Sequence, residues 1–214
     1  MINSPSNPTG NVMPAKRMKE IAKFTPFIIS DEIYHGLVYG EEIHTILEFT
    51  DRAFVINGFS KLYAMTGWRL GYLIAPKEFI RPMQKIQQNL FISASSFSQW
   101  GALAGLKEAE KDIQRMRDTY DRRRRFLIPR LRDLGFGITV EPTGAFYILA
   151  NAKRFSDDSY HLAFDILQEA KVGVAPGIDF GTNAEGYLRF CYANSMENIE
   201  EGMNRLETYL QRYR

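Results

Sequence analysis

Two apolar runs that end in charged residues constrain the fold of this chain most. Residues 27–29 lead through a serine into Asp31, and residues 53–57 lead through Gly58-Phe59-Ser60 into Lys61. Apolar runs of this length, bounded by turn residues, are typical of strands that are buried on both faces of a sheet. Because helical segments lie between the strands, the sequence predicts an α/β sheet, whose ligands usually bind beyond the carboxyl ends of the strands. Asp31 and Lys61 both lie at such ends.

Periodic patterns elsewhere divide the chain into two parts. In chain order, the further predicted elements are a helix at 14–24, a strand at 70–75, mainly helical sequence at 77–134, strands at 137–141, 144–149, 172–175 and 187–192, and helices at 160–170 and 196–213. We therefore expect residues 1–115 to belong to a large domain with a mostly parallel sheet and helices. Residues 116–214 are expected to form a small α+β domain.

Composition excludes several classes of protein. The chain has 214 residues, of which 45% are hydrophobic, and a net charge of +2, so its bulk charge argues neither for nor against a nucleic-acid partner. No apolar window is long enough for a membrane helix, and the N-terminus lacks the pattern of a signal peptide. The single cysteine, Cys191, lies in an apolar run. We expect a buried thiol and a reducing, cytoplasmic location.

Lys61 and Arg69 stand eight residues apart in a glycine-containing segment. A lysine taken alone is most often a solvated surface residue, but Lys61 follows an apolar strand, and Gly67 and Gly71 permit a close approach of the backbone. An amine in this setting can hold an aldehyde as a Schiff base, and a forked guanidinium can bind a phosphate. The pair therefore indicates a site for pyridoxal phosphate.

Asp31 has two interpretations, and the sequence leaves both open. It can cap a helix that begins at Glu32. It can also face a pyridine nitrogen and keep that nitrogen protonated, so that the ring accepts electrons from the substrate. Tyr34 lies one turn further along, where its hydroxyl could bind the phenolic oxygen of the same cofactor.

Asn7 and Arg189 are the remaining polar candidates. Asn7 opens a segment at 7–10 that is by default only a turn, although its amide could reach the same phenolic oxygen. Arg189 alternates with apolar residues on a predicted strand, so it either lies at a sheet edge or is paired. A planar guanidinium is well shaped to clamp an α-carboxylate with two hydrogen bonds.

Taken together, four motifs resemble those of the class I and II aminotransferases, which are fold-type I pyridoxal phosphate enzymes. In chain order the motifs are Asn7-Pro8-Thr9-Gly10, Asp31-Glu32-Ile33-Tyr34, Ser60-Lys61 with Met65-Thr66-Gly67-Trp68-Arg69-Leu70-Gly71, and Leu188-Arg189-Phe190 with Ala193-Asn194-Ser195. Each motif is weak alone, but their order and spacing together are specific. The resemblance runs from residue 1 to residue 214. It implies part of a fold-type I large domain followed by the small α+β domain.

The resemblance also implies how the cofactor is held. Lys61 would form an internal aldimine with pyridoxal 5′-phosphate and then move the proton of the reaction. Asp31 would pair with the pyridine nitrogen, and Tyr34 would contact the phenolic oxygen. Ser60 and Arg69 would bind the phosphate.

On the substrate side, the resemblance assigns Arg189 to the α-carboxylate and Asn7 to both the phenolic oxygen and the substrate. The implied reaction transfers an amino group between an L-amino acid and a 2-oxo acid. One departure is Gly58, where some similar enzymes carry a phosphate-binding serine.

By the same resemblance we expect a homodimer, with neither a nucleic-acid nor a membrane partner. Similar enzymes carry an N-terminal half before the segment that Asn7 matches, so the chain looks like a truncated form of such an enzyme. One alternative is therefore a catalytically incompetent fragment or pseudoenzyme. A lyase of the same fold, which uses the same cofactor and lysine, is the other.

Two further kinds of site have weaker support. Asp31, Glu32 and His35 could converge on a metal ion, but the sequence holds no strong second cluster of ligands. The arginine run at 122–125 could bind nucleic acid, but interleaved aspartates favour a solvated helix face with local ion pairs. We expect no metal site.

Overall fold

The computed structural model describes residues 1–24 and 26–213, which group into two compact units. Unit 1 comprises Met1–Ser6 and Val12–Arg117, and unit 2 comprises Asn7–Asn11 and Asp118–Arg214. The short segment Asn7–Asn11 therefore groups with the C-terminal part of the chain. The division into a large cofactor-binding domain at 1–115 and a small domain at 116–214 stays a prediction.

Unit 1 contains a four-stranded sheet. Its strands, in their spatial order, are β1 (Ile2–Asn3), β2 (Ile28–Asp31), β3 (Ala53–Gly58) and β4 (Gly71–Ile74). The first three strands are parallel, whereas β4 runs antiparallel to β3. The predicted α/β sheet is confirmed, and the carboxyl ends of its three parallel strands share one edge. Asp31 is the last residue of β2 and lies opposite Ile56 of β3.

Among the described residues, three α-helices belong entirely to unit 1: α1 (Ala15–Phe24), α2 (Lys77–Leu90) and α3 (Ser96–Glu108). Met18 and Ala22, which are four residues apart, form the buried face of α1. They pack with apolar residues of β2 and β3, including Ile28 and Val55. This core fixes β2 and β3, and with them the strand ends that carry the predicted polar residues.

Unit 2 combines a small antiparallel sheet with helices. Its helices and strands, in chain order, are the C-terminal part of α4 (Glu110–Asp133), then β5 (Tyr147–Asn151), α5 (Ser159–Asp165), β6 (Ala175–Pro176), β7 (Tyr187–Cys191) and α6 (Met196–Leu210). The strands lie in the order β5-β7-β6, and both pairs are antiparallel. A π-helical turn at Ile166–Ala170 extends α5. Strands and helices are mixed here as the sequence predicts.

Several local expectations were wrong. β2 and β3, which the sequence predicts to be buried on both faces, each have one exposed face, with Ile29 44% and Ile56 41% exposed. The helix that Asp31 could have capped is absent, because residues 33–36 form only a turn. Sequence at 137–141 forms no strand and contributes one bridge, between Gly137 and Asn151. Cys191 is exposed, because it lies on the same face of β7 as Arg189 while the alternate residues take the buried face.

No helix in the described part of the chain is both long and apolar enough to cross a membrane.

Candidate functional site

Asp31 closes β2 at the edge where the parallel strands end. The side-chain amide of Asn3 donates to the Asp31 carbonyl at 2.9 Å, and the N–H of Ser4 donates to the same oxygen at 3.1 Å. The Asp31 carboxylate accepts the N–H of Ile33 at 3.1 Å, so it caps a turn instead of a helix. These bonds fix the backbone of Asp31 while its side chain stays half-buried at the strand end.

Tyr34 and Lys61 approach each other beside this edge. Tyr34 lies in the turn after β2 and is 4% exposed, and Lys61 follows the end of β3. The Lys61 Nζ lies 5.9 Å from the centroid of the Tyr34 ring, within the range of a cation–π contact. Gly36 has a φ of 94°, and a Cβ there would meet the Leu62 side chain at 2.8 Å. Position 36 therefore favours glycine, because here the turn after β2 passes close to Leu62, the residue that follows Lys61.

Ser60 and Arg69 lie on the loop between β3 and β4. The Thr66 hydroxyl donates to the Ser60 carbonyl at 2.7 Å, and Arg69 Nη1 donates to the Thr66 carbonyl at 2.8 Å. Arg69 is exposed and has a φ of 52°, a left-handed conformation that costs a residue other than glycine roughly 1 kcal/mol. An arginine kept at such a position favours a functional role for its guanidinium.

Glu32 is a buried carboxylate just beyond the end of β2. It is 2% exposed and accepts hydrogen bonds from the Ser30 hydroxyl at 2.9 Å, the Thr45 hydroxyl at 3.2 Å and the Ile46 N–H at 3.1 Å. His35 Nδ1 lies 3.4 Å from Glu32 Oε2. Burial alone raises the pKa of Glu32, but these four partners together lower the pKa below its ordinary value. Glu32 therefore stays charged and ties segment 45–46 to the end of β2.

Glu32 is also one of the three residues, with Asp31 and His35, that the sequence suggests as possible metal ligands. Among residues 1–24 and 26–213, no group of three or more His, Cys, Asp or Glu side chains is arranged to hold a metal ion. Glu32 Oε1 accepts hydrogen bonds from two hydroxyls and one backbone N–H instead.

Unit 2 carries the other two predicted residues, Asn7 and Arg189. Arg189 lies on β7, the central strand of its sheet, opposite Leu149 and Ala175, so it is paired and not at an edge. Its Nη1 donates to Asn7 Oδ1 at 2.7 Å, across 182 positions of sequence. Because a guanidinium only donates hydrogen bonds, the amide atom facing it must be the oxygen, and the Asn7 nitrogen is turned away from it.

Backbone bonds anchor the turn that holds Asn7 within unit 2. The Gly10 carbonyl accepts the N–H of Thr143 at 3.1 Å and that of Gly144 at 2.7 Å. Gly10 has a φ of 68°, and a Cβ there would lie 2.5 Å from Pro142 Cβ and 2.8 Å from the carbonyl oxygen of Tyr147. The position therefore requires glycine, and Asn7 is held in the unit that carries Arg189.

Two aromatic residues that the sequence did not indicate contact Arg189. Its Cζ lies 4.2 Å from the ring centroid of Tyr147 and 4.8 Å from that of Phe180. Strand alternation could have placed Tyr147 on one face of β5, but no local signal predicts that β5 pairs with β7. Phe180 ends a short 3₁₀ turn after β6, and its sequence carries no sign of the contact.

The side chains of unit 1 fit pyridoxal phosphate by their chemistry. The end of β2, the turn that follows it and the loop after β3 supply these groups, which are an amine (Lys61), a carboxylate (Asp31), a phenol (Tyr34), a hydroxyl (Ser60) and a guanidinium (Arg69). They match, in turn, the aldehyde, the ring nitrogen, the phenolic oxygen and, for the last two, the phosphate of that cofactor.

The arginine run on α4 is largely engaged within the protein. Arg124 and Arg125 both pair with Asp121, at 2.6 Å and 2.8 Å. Arg123 stacks on the ring of Tyr120 at 5.8 Å. These contacts agree with the prediction that the arginine run lies on a helix face with local ion pairs.

Comparison with known proteins finds relatives along nearly the whole chain. The family model for aminotransferase class I and II matches residues 1–206. The (5-formylfuran-3-yl)methyl phosphate transaminase of Methanocaldococcus jannaschii is 44% identical over 216 residues, and an aspartate aminotransferase of Pyrococcus abyssi is 41% identical over 221 residues. Each alignment covers 99% of this chain and 57% of the relative.

Solved structures agree with the sequence relatives. An aromatic aminotransferase from Pyrococcus horikoshii matches with a TM-score of 0.94 at 40% identity, over 99% of this chain and 59% of that one. An aspartate aminotransferase from Thermus thermophilus matches with a TM-score of 0.91 at 35% identity, over 97% of this chain and 56% of that one. The chain thus spans little more than half the length of the relatives that it matches.

Proposed function

We propose a function for this protein from one premise, that the chain belongs to the aminotransferase class I and II family. The proposed reaction transfers an amino group between an L-amino acid and a 2-oxo acid, with pyridoxal 5′-phosphate as the cofactor. The observation that carries the proposal is the approach of Lys61 Nζ to the Tyr34 ring, at 5.9 Å from its centroid, near the strand end that carries Asp31.

Three residues of unit 1 would serve the chemistry. When bound, the cofactor supplies a ring that accepts the electrons released at the substrate's α-carbon. Lys61 Nζ would bind the cofactor's aldehyde and, as a free amine, accept the α-proton and return it during the transfer. The Asp31 carboxylate would accept the N–H of the pyridine ring, and the Tyr34 hydroxyl would donate to the phenolic oxygen.

The remaining residues would bind and orient the charged groups. Ser60 and Arg69 would donate to the phosphate, which is an acceptor that suits a guanidinium fork. Arg189 would bind the α-carboxylate of the substrate. Asn7, whose amide nitrogen faces away from Arg189, would donate to the phenolic oxygen or to the substrate.

Titration with pyridoxal 5′-phosphate tests the lysine. We expect a visible absorption band that borohydride reduction makes permanent, with the added mass on the peptide that contains Lys61. Lys61→Ala should lose both band and label, whereas Lys85→Ala, a change of an exposed lysine on α2, should keep them. A band that Lys61→Ala leaves unchanged would show that the proposed role of Lys61 is wrong.

Comparison of pyridoxal 5′-phosphate with pyridoxal tests Arg69. Because the backbone of Arg69 is left-handed, Arg69→Gly should fold normally. It should nevertheless weaken binding of the phosphorylated cofactor about 10- to 100-fold, the range expected for a lost charged hydrogen bond. Pyridoxal, which lacks the phosphate, should bind both proteins equally. A similar loss for both ligands would contradict the phosphate role.

Product analysis separates the proposed activity from its alternatives. Aspartate and aromatic amino acids form the first panel of amino donors, because the names of the relatives include both. Transfer requires formation of a new amino acid from an added 2-oxo acid. Release of ammonia without that second substrate would identify a lyase, and a cofactor band without turnover would identify an incompetent fragment or pseudoenzyme. The homodimer stays a prediction that sedimentation velocity decides.

A further inference from the structure

The guanidinium of Arg189 is held by more contacts than its bond to Asn7. Its Cζ lies within 5 Å of two ring centroids, at 4.2 Å from that of Tyr147 and 4.8 Å from that of Phe180. Its Nε is buried and, in the described part of the chain, donates to no acceptor. Arg189 thus combines one fixed hydrogen bond, two aromatic contacts and a covered N–H that lacks an acceptor.

Strand register explains the position of Tyr147. On the paired strands β5 and β7, Tyr147 lies opposite Cys191, and Leu149 lies opposite Arg189. Tyr147 and Arg189 are therefore diagonal neighbours on one face of the sheet, which is within the reach of long side chains. Tyr147 is itself 7% exposed, so its ring has little freedom to move.

The turn after β6 explains the position of Phe180. The Ile178 N–H donates to the buried Ser159 hydroxyl at 3.1 Å. A Cβ on Gly177 would overlap the carbonyl oxygen of Ala184, and Gly181 has a φ of 115°. A glycine therefore begins the 3₁₀ turn that ends at Phe180, and another follows it, so the backbone that carries this ring is closely constrained.

Cation–π contacts orient a guanidinium as well as attracting it. An arginine side chain has many rotamers, and fixing its plane before a ligand arrives reduces the entropy lost on binding. The Nε atom of Arg189 is itself buried, so water has little access to its N–H. A buried charged N–H without a protein acceptor is unfavourable unless a ligand supplies one.

We propose that Tyr147 and Phe180 are positioning residues for carboxylate binding, because their rings hold the Arg189 guanidinium in the plane in which Nη1 bonds to Asn7 and the remaining N–H groups meet the substrate. The proposal rests on the proposed function, in which Arg189 binds the α-carboxylate.

Phe180→Leu is the test variant, because leucine keeps an apolar side chain but removes the ring. We expect its affinity for 2-oxoglutarate, measured by NMR titration of the whole chain, to fall about five- to tenfold. The Hε proton of Arg189 should also exchange faster with water in this variant without ligand. Phe180→Tyr, which restores a ring, should recover both values.

Phe155→Leu is a matched control in unit 2. Phe155 packs on Phe136 and Tyr213, whereas the rings found against Arg189 in the described part of the chain are those of Tyr147 and Phe180. This variant should lower thermal stability while leaving the affinity and the Hε exchange unchanged, which separates positioning from general destabilisation.

Arg189→Lys separates failure of this proposal from failure of the proposed function. If Arg189→Lys binds 2-oxoglutarate as tightly as the wild type, or if the wild type does not bind it, the carboxylate role of Arg189 fails. The ring contacts are then judged by Hε exchange alone. If Arg189→Lys weakens binding but Phe180→Leu changes neither affinity nor exchange, the positioning role of the rings is overturned.

Discussion

Glu32 shows how a single residue can support a site without contacting a ligand. Its carboxylate is buried one residue after Asp31, accepts hydrogen bonds from hydroxyl and amide donors, and lies 3.4 Å from His35 Nδ1. A buried charge is tolerable only when it is fully hydrogen-bonded, and here the bonds connect the end of β2 to residues 45–46. Loss of the charge should therefore loosen the segment from which the Asp31 side chain projects.

Glu32→Gln should destabilise the protein by about 1–3 kcal/mol at neutral pH, the usual effect of an impaired buried charged hydrogen bond. The pKa of Glu32 is lowered from 4.5 in the folded state. Its contribution to stability is therefore present above pH 4.5 and is lost as the pH falls through the folded pKa. The gap in free energy of unfolding between wild type and variant should narrow with acidification, as measured by urea denaturation.

Glu20→Gln is the control for this pH dependence. Glu20 pairs with Arg17 at 3.2 Å, and the side chains of Arg17 and Glu20 are 68% and 42% exposed. This change should alter the free energy of unfolding by less than about 0.5 kcal/mol. A gap between wild type and Glu32→Gln that stays constant through acid pH would mean that the Glu32 charge is not the source of the stabilisation.

At the scale of elements, unit 2 positions Asn7 through a chain of contacts that begins on α4. Arg124 Nη1 donates to the Pro142 carbonyl at 3.1 Å. The next two residues donate their N–H groups to the Gly10 carbonyl, and the turn that Gly10 closes carries Asn7. The buried face of α4 thus holds the loop at 142–144, and this loop in turn holds the turn at 7–10.

Two neighbouring arginines on α4 allow a matched test of this support. Both pair with Asp121, but the Arg124 side chain is 10% exposed and that of Arg125 is 73% exposed. Arg124→Leu removes a buried cation and leaves Asp121 and the Pro142 carbonyl without that donor, so we expect a loss of about 3 kcal/mol. Arg125→Leu should cost less than about 1 kcal/mol. Chemical denaturation followed by circular dichroism measures both, and equal losses would contradict the role given to Arg124.

For the molecule as a whole, local patterns predicted the elements better than the contacts between them. Apolar runs with polar ends placed Asp31 correctly at the end of β2 and Lys61 just beyond the end of β3, because an apolar run that enters the core leaves a clear signal in the sequence. Each of these strands nevertheless has one exposed face, on which Ile29 of β2 is 44% exposed and Ile56 of β3 is 41% exposed. The contact between Asn7 and Arg189 depends on the pairing of β5, β6 and β7, and no local pattern encodes that pairing. The exposure of Cys191 was mispredicted for the same reason, since an apolar run does not reveal which face of a strand is covered.

The two units differ in how completely they cover their apolar residues. All four residues of β4 are exposed, and α2 has no buried residue. In unit 2, by contrast, three of the five residues of β5 are buried and the other two are half-buried. β4 is also the last strand in the order of its sheet, and an exposed apolar edge strand is a template for association with other chains.

Leu73→Lys tests whether this edge limits solubility. Leu73 is 39% exposed on β4, and a lysine on an edge strand opposes edge-to-edge pairing by charge. Light scattering at rising protein concentration should decrease in this variant, while its melting temperature should stay within about 2 °C of the wild type, since little packing is lost. Leu167→Lys is the control, because Leu167 is 47% exposed in unit 2 outside any strand, and it should scatter as the wild type does. Equal scattering by Leu73→Lys and wild type would show that association does not proceed through β4.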